Sequence, residues 1–263
     1  MEKCRAVPSY RSSSGDPART LALLWREPGF RQSGRGPKQA VTVDGVVDAA
    51  IEVADARGLD RVSMRGVAQA LGMAAMSLYT YVPGKAELLD LMLDRVYLAM
   101  PRPSFDGQSW QERLTTVAEE NRTLCASHPW VANVTTARPQ LGPGAMAKYE
   151  HELSAFEGLD LDDVTIDDAL TYLLTFVQAA ARAALDAHTS ELESAMNDEQ
   201  WWASNAPLLA QVFDRATYPT AARIGTAAGQ AHGSAYNPDH AYNFGLARVL
   251  DGLAGLIDRD QPL

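Results

Sequence analysis

Cysteine is nearly absent: Cys4 and Cys125 are the only two in 263 residues. That pair gives neither a disulfide framework nor a thiolate metal site, and a reducing cytoplasm is the expected compartment. Long apolar runs are missing as well. Near the N-terminus only Leu21 to Trp25 are apolar in succession, so no secretory segment is expected. The most apolar stretch, about Thr165 to Leu185, is interrupted by Gln178 and Arg182 and is too short for a bilayer. A soluble protein with no membrane partner follows. No Gly-rich phosphate loop, Gly-x-Ser-x-Gly elbow or His-Glu-x-x-His pair occurs. No enzyme, metal site or other cofactor is therefore expected. The acidic run Asp160 to Asp168 lacks the alternating ligands and glycine of a calcium loop; its carboxylates suit a helix N-terminus.

Positive charge is scarce too, and it is unevenly spread. Net charge is −10, with residues 1–40 at +5, 41–100 at −3 and 101–263 at −12. An acidic body repels phosphates, so any DNA contact must come from the N-terminal end. Residues 1–40 are rich in Arg, Ser, Gly and Pro without a sustained period. They read as a flexible basic arm, an uninformative tail being the alternative.

What the chain does have is helical periodicity. Val43, Val46, Val47, Ala50, Ile51 and Ala54 recur at three- and four-residue steps until Gly58. Ser63 is placed to cap a second helix with Met64, Val67, Ala68 and Leu71 inward. Gly72 then supplies a turn, because only glycine takes positive φ without steric cost. A third helix spans about Ala75 to Tyr81, and a fourth runs from Lys85 to a stop at Pro101. Short helix, glycine turn and short helix form a helix-turn-helix, whose second helix enters a DNA major groove. Further helices are expected at about 108–127, 129–137, 143–157, 165–188, 190–213, 218–230 and 238–258. No stretch alternates convincingly as a strand does, so the chain reads as all-α.

Between Gly72 and Gly84 there is no charged residue. The third helix therefore lacks an arginine for guanine, the commonest specific contact. With Leu78 and Val82 inward, Ala75, Met76 and Thr80 are left to meet thymine methyls, with Ser77 at the rim. Tyr79 and Tyr81 offer hydroxyls to phosphates, core packing being the alternative for both. Lys85 sits at a helix start, where the dipole disfavours a cation and a phosphate partner reverses the penalty; a solvated lysine is the alternative. Ser63 and Arg65 can hold backbone in the same way. Arg26, Arg31, Arg35 and Lys38 lie just upstream, placed to track or enter a minor groove.

The run Leu71 to Lys85 followed by Glu87-Leu88-Leu89, within residues 42–89, resembles the N-terminal domain of the TetR family of bacterial repressors. Tyr218-Pro219, Phe244-Gly245-Leu246 and Leu250-Asp251-Gly252-Leu253 are similar to the C-terminal domain of its tetracycline-repressor-like branch. The resemblance implies an N-terminal three-helix DNA-binding domain and a C-terminal helical ligand-binding and dimerisation domain. The boundaries expected are 1–40 for the arm, 41–86 for DNA binding and 87–263 for the remainder. It implies a homodimer on a palindromic double-stranded operator, joined through the 165–188 and 238–258 helices. A small hydrophobic or aromatic effector would release it from an efflux-pump or neighbouring biosynthetic gene. Asn121, Trp130, Tyr149, Tyr172 and Phe176 are the candidates for lining the effector cavity, though ordinary core packing suits each aromatic alone. An activator or architectural protein without an effector is the competing reading.

Overall fold

A computed structural model describes residues 10–11, 15–26, 41–135, 138–234 and 236–257. Eleven α-helices account for most of them: α1 (Pro17–Leu24), α2 (Val43–Arg57), α3 (Met64–Ala70), α4 (Ala75–Leu78), α5 (Lys85–Leu98), α6 (Trp110–Ser127), α7 (Pro143–Ser154), α8 (Asp163–Ser194), α9 (Asp198–Val212), α10 (Pro219–His232) and α11 (Pro238–Ile257). Among the described residues, extended structure is limited to a parallel pair of two-residue strands, β1 (Tyr10–Arg11) and β2 (Val134–Thr135). The all-α reading holds. Among the described residues no helix is long and apolar enough to cross a membrane.

Three expectations need correction. Part of the N-terminal arm is helical: Asp16 caps α1 with its carboxylate on the Ala18 and Arg19 amides, and Pro17 supplies the preset φ of a first helical residue. Leu24 is buried in the main core, so residues 15–26 are not a free basic arm. The segment expected as a helix over 129–137 is a 3-10 turn at Pro129–Asn133 followed by β2. The long helix α8 runs past the break expected near residue 189 and continues to Ser194; Asn197 caps the next helix in a reciprocal box with Gln200.

The chain forms two compact units, residues 1–174 and 175–263. In the first, α5 packs against both α2 and α7. Its core runs from Val43, Val46, Val47 and Ala50 through Leu78 and Val82 to Leu88, Met92 and Leu93, and on to Trp130 and Val134. On α5, Asp94 accepts the Ala145 amide at the start of α7 at 2.9 Å. Burial raises this carboxyl above its ordinary range, while the Ala145 and Gly144 amides and the charge of Arg26 oppose the rise. One helix thus carries the cap of another.

In the second unit α11 buries Tyr242, Leu246, Val249, Leu253 and Ile257, a stripe at three- and four-residue spacing. Phe176 stacks on Tyr242 with ring centroids 5.8 Å apart, and Gly245 makes room for the Phe176 ring. By contrast, α9 and α10 bury no residue, although Leu208, Leu209, Val212 and Ile224 are large and apolar.

Candidate nucleic-acid interface

The helix-turn-helix forms as the residues dictate. Ser63 Oγ accepts the Gly66 amide at 3.0 Å and starts α3. The helix ends at Gly72, whose φ is +66°. There the Met73 amide reaches the Ala68 carbonyl at 2.9 Å and the Gly72 amide reaches Gln69 at 3.1 Å. These two bonds close a Schellman C-cap and satisfy orphan carbonyls. The second helix of the motif, α4, is shorter than expected. Only Ala75–Leu78 are α-helical, and the chain from Tyr79 to Tyr81 turns on bonds of Tyr81 and Val82 to the Leu78 carbonyl. Leu78 and Val82 are fully buried and pin this short element to the core.

That anchoring divides the candidate residues. Met76 is 78% exposed and Tyr79 44%; Ser77 and Thr80 are exposed beside them. Ala75 and Tyr81 are half-buried and pack against the core. The Thr80 hydroxyl is occupied, donating to the Ser77 carbonyl at 2.6 Å. Arg65 and Ser63 are exposed at the start of α3. Lys85 is half-buried, with Nζ 3.4 Å from the Leu59 carbonyl. Burial holds its ammonium below the ordinary lysine range and the Asp60 carboxylate opposes this. The surface is therefore an apolar and hydroxyl-bearing ledge with cations at its margins. Arg31, Arg35 and Lys38 lie outside the described residues.

Of the five effector candidates, Asn121 lies on α6, Trp130 in the 3-10 turn, Tyr149 on α7, and Tyr172 and Phe176 on α8. Asn121 is buried on α6, donating to the Val117 carbonyl at 2.9 Å and to Glu152 at 2.6 Å. Glu152 also accepts from Lys148 Nζ at 2.6 Å. Trp130 spends its indole N–H on Asp55 of α2 at 2.8 Å, and the same carboxylate meets His128. It is a tie between the 3-10 turn and α2. Tyr149 is exposed and donates to Asp167 at 2.7 Å, a bond that raises its phenol above the ordinary range, helped by burial and the Asp167 charge. Tyr172 is 53% exposed, and Phe176 belongs to the second unit. The described residues form grooves of about 350 and 340 Å3 beside α1 and about 590 Å3 between α9 and α10. None of the five lines any of these. The residues flanking α1, Trp25 and Arg26 among them, were missed as structural; Asp16-Pro17 ahead of an apolar run was the signal for a helix start.

The family comparisons agree with this architecture. Residues 46–92 match the family described as bacterial regulatory proteins, tetR family. Residues 102–257 match the tetracyclin repressor-like C-terminal domain. The chain belongs to the TetR family. This TetR-family regulator is 41% identical over 255 residues to the HTH-type transcriptional repressor DrrR1 of Streptomyces coeruleorubidus, covering 96% of this chain and 91% of that one. It is 25% identical over 236 residues to the HTH-type transcriptional repressor Rv1353c of Mycobacterium tuberculosis, covering 88% and 87% of the two chains. The TetR family protein ActR of Streptomyces coelicolor, in complex with actinorhodin, superposes with a TM-score of 0.69 at 26% identity. That match covers 83% of this chain and 98% of ActR.

Proposed function

We propose that this TetR-family protein is a ligand-responsive repressor. It binds a palindromic operator as a homodimer and is released by a small hydrophobic or aromatic effector. One observation carries the DNA half of this reading. Met76, Ser77, Tyr79 and Thr80 stand exposed above the buried Leu78 and Val82, with Arg65 and Lys85 close in sequence. Met76 and the Thr80 methyl meet base edges, Tyr79 and Lys85 hold phosphates, and Ser63 and Arg65 support them. Residues 41–86 act as the reading domain and 87–263 as the sensing and dimerising part.

Dimerisation rests on family membership and on the outer face of α11, where Gly252 and Gly255 are exposed and a Cβ would meet nothing. Such a flat face lets a second copy's helix approach closely. The effector half is supported by ActR, which is known with actinorhodin bound. We assign its polar contact to the buried Asn121 and Glu152 with the half-buried Lys148. The path to DNA is short, since α5 follows the reading helix and Asp94 on α5 caps α7. A coupling of about 1–3 kcal/mol is enough to release much of the bound population. The regulated gene is proposed to be an efflux pump or a neighbouring biosynthetic gene.

The test is retention of the DNA upstream of the protein's own gene in a gel-shift assay, followed by challenge with a panel of hydrophobic and aromatic compounds. An effector should release the DNA and raise the melting temperature of the free protein. Absence of retention refutes the reading, and retention indifferent to every compound favours the activator or architectural alternative.

Arg31, Arg35 and Lys38 are proposed to grip the backbone beside the reading helix. Replacing all three by alanine should flatten the salt dependence of operator binding by about 0.9 in log–log slope for each phosphate they neutralise. An unchanged slope removes these residues from the interface.

A further inference from the structure

The N-terminal segment is fastened at four points, to elements on both sides of the reading helix. β1 pairs in parallel with β2, Tyr10 opposite Val134 and Arg11 opposite Thr135. The Asp16 amide lies 3.4 Å from Glu87 in the first turn of α5. Gly15 permits that approach, because a Cβ there would fall 2.5 Å from the Glu87 carboxylate. At the other end of α1 the Trp25 indole N–H donates to the Leu141 carbonyl at 2.7 Å, just ahead of α7. The Arg26 guanidinium pairs with Asp44 in the first turn of α2.

Packing of α1 is limited to one edge, with Leu24 in the core and Leu23 against it. Only Thr20 and Leu24 of α1 are buried, Leu21 and Trp25 are exposed, and open grooves of about 350 and 340 Å3 flank the helix. A short helix with a single buried apolar plug does not hold its place on propensity alone. Its four attachments reach α2, the start of α5, the loop before α7, and β2. The first two bracket the reading helix in sequence, and α7 is the helix that Asp94 couples to α5.

We propose that residues 10–11 and 15–26 act as a strap that sets the placement of α2 and α5 against the α7 end of the first unit, and so preorganises the reading helix without touching DNA. The proposal rests on the operator-binding reading above. Preorganisation raises affinity by removing an ordering cost that would otherwise fall on binding. It differs from a phosphate-gripping arm in one measurable respect. A strap changes affinity and leaves the number of released counterions alone, whereas a gripping arm changes both.

Three variants of the full-length protein decide it. Trp25→Phe keeps an aromatic ring, though a smaller one, and removes the N–H donor to Leu141. Removing residues 1–26 abolishes the strap and leaves Arg31, Arg35 and Lys38 in place. Arg19→Ala takes a cation from the exposed face of α1 and touches none of the four ties. Expected are a loss of operator affinity of roughly five- to tenfold, within the usual span of coupling effects, for the truncation and a smaller loss for Trp25→Phe. Both should keep the wild-type log–log salt slope, and Arg19→Ala should match wild type in both quantities. Unchanged affinity in the truncation, or a flattened slope in Trp25→Phe or Arg19→Ala, overturns the strap. Hydrogen exchange separates this from failure of the operator reading itself. Even if no upstream DNA is retained, Trp25→Phe should speed exchange of the amides of residues 142–148 and 85–91, and unaltered exchange there rejects the proposal.

Discussion

Replacing Tyr79 and Lys85 together by alanine is expected to weaken operator binding about a thousandfold, taking about 1 kcal/mol for each of four backbone contacts in a two-fold dimer. What the reading helix lacks sets this expectation. With no charge between Gly72 and Gly84, it has no guanine-directed arginine, so its placement depends on contacts at its margins. Tyr79 is exposed at the end of α4. Lys85 stands at the N-terminus of α5, where neither the helix dipole nor burial favours an ammonium. A phosphate compensates both costs. The salt slope should also fall by about 0.9 for each lysine removed. Lys85 additionally reaches the Leu59 carbonyl, so the melting temperature is needed alongside the gel shift. Tyr79→Phe, which keeps the ring, isolates the hydroxyl. If the double variant folds and still retains the operator as wild type does, α4 is not the reading element.

Much of this surface was legible in the residues because local rules fix it. A Ser cap, a glycine at positive φ and two apolar residues four apart leave little freedom for the segment Ser63 to Val82. Their periodicity placed Leu78 and Val82 inward, and both are fully buried. The length of the reading helix was less legible. Uncharged residues continue a helical pattern to Tyr81, but the bonds of Tyr81 and Val82 to Leu78 tighten the chain after one turn.

The sensor side resisted for a different reason. Tryptophan and tyrosine serve a cavity wall and a structural tie equally well until their polar atom finds its partner. Trp130 finds Asp55 and Tyr149 finds Asp167, 75 and 18 residues away in sequence. No periodicity encodes such a pairing. The docking of α1 was hidden similarly. Its basic, Ser- and Gly-rich surroundings outweighed an eight-residue helix whose anchors, Glu87, Leu141 and Asp44, lie far along the chain.

The largest effect on stability is expected at Gly144. There α7 crosses α5 so closely that an added Cβ would fall 2.0 Å from the Asp94 carbonyl oxygen and 2.9 Å from the Leu98 amide nitrogen. Both obstacles are backbone, so no side chain can swing aside. Relief requires α7 to move off α5, and that movement also breaks the Asp94 cap on Ala145. Overpacking of this kind costs about 3 kcal/mol, which for a chain of this length lowers the melting temperature by roughly 6–12 °C. The same substitution at Gly225 on α10 is the control, because a Cβ there meets nothing within 4 Å. In a helix interior alanine is favoured over glycine by up to about 1 kcal/mol, so Gly225→Ala should hold or raise the melting temperature. Opposite signs at the two positions establish that α5 and α7 meet backbone to backbone. Equal melting temperatures for both variants would show that the crossing is looser, and would remove the rigid α5–α7 link.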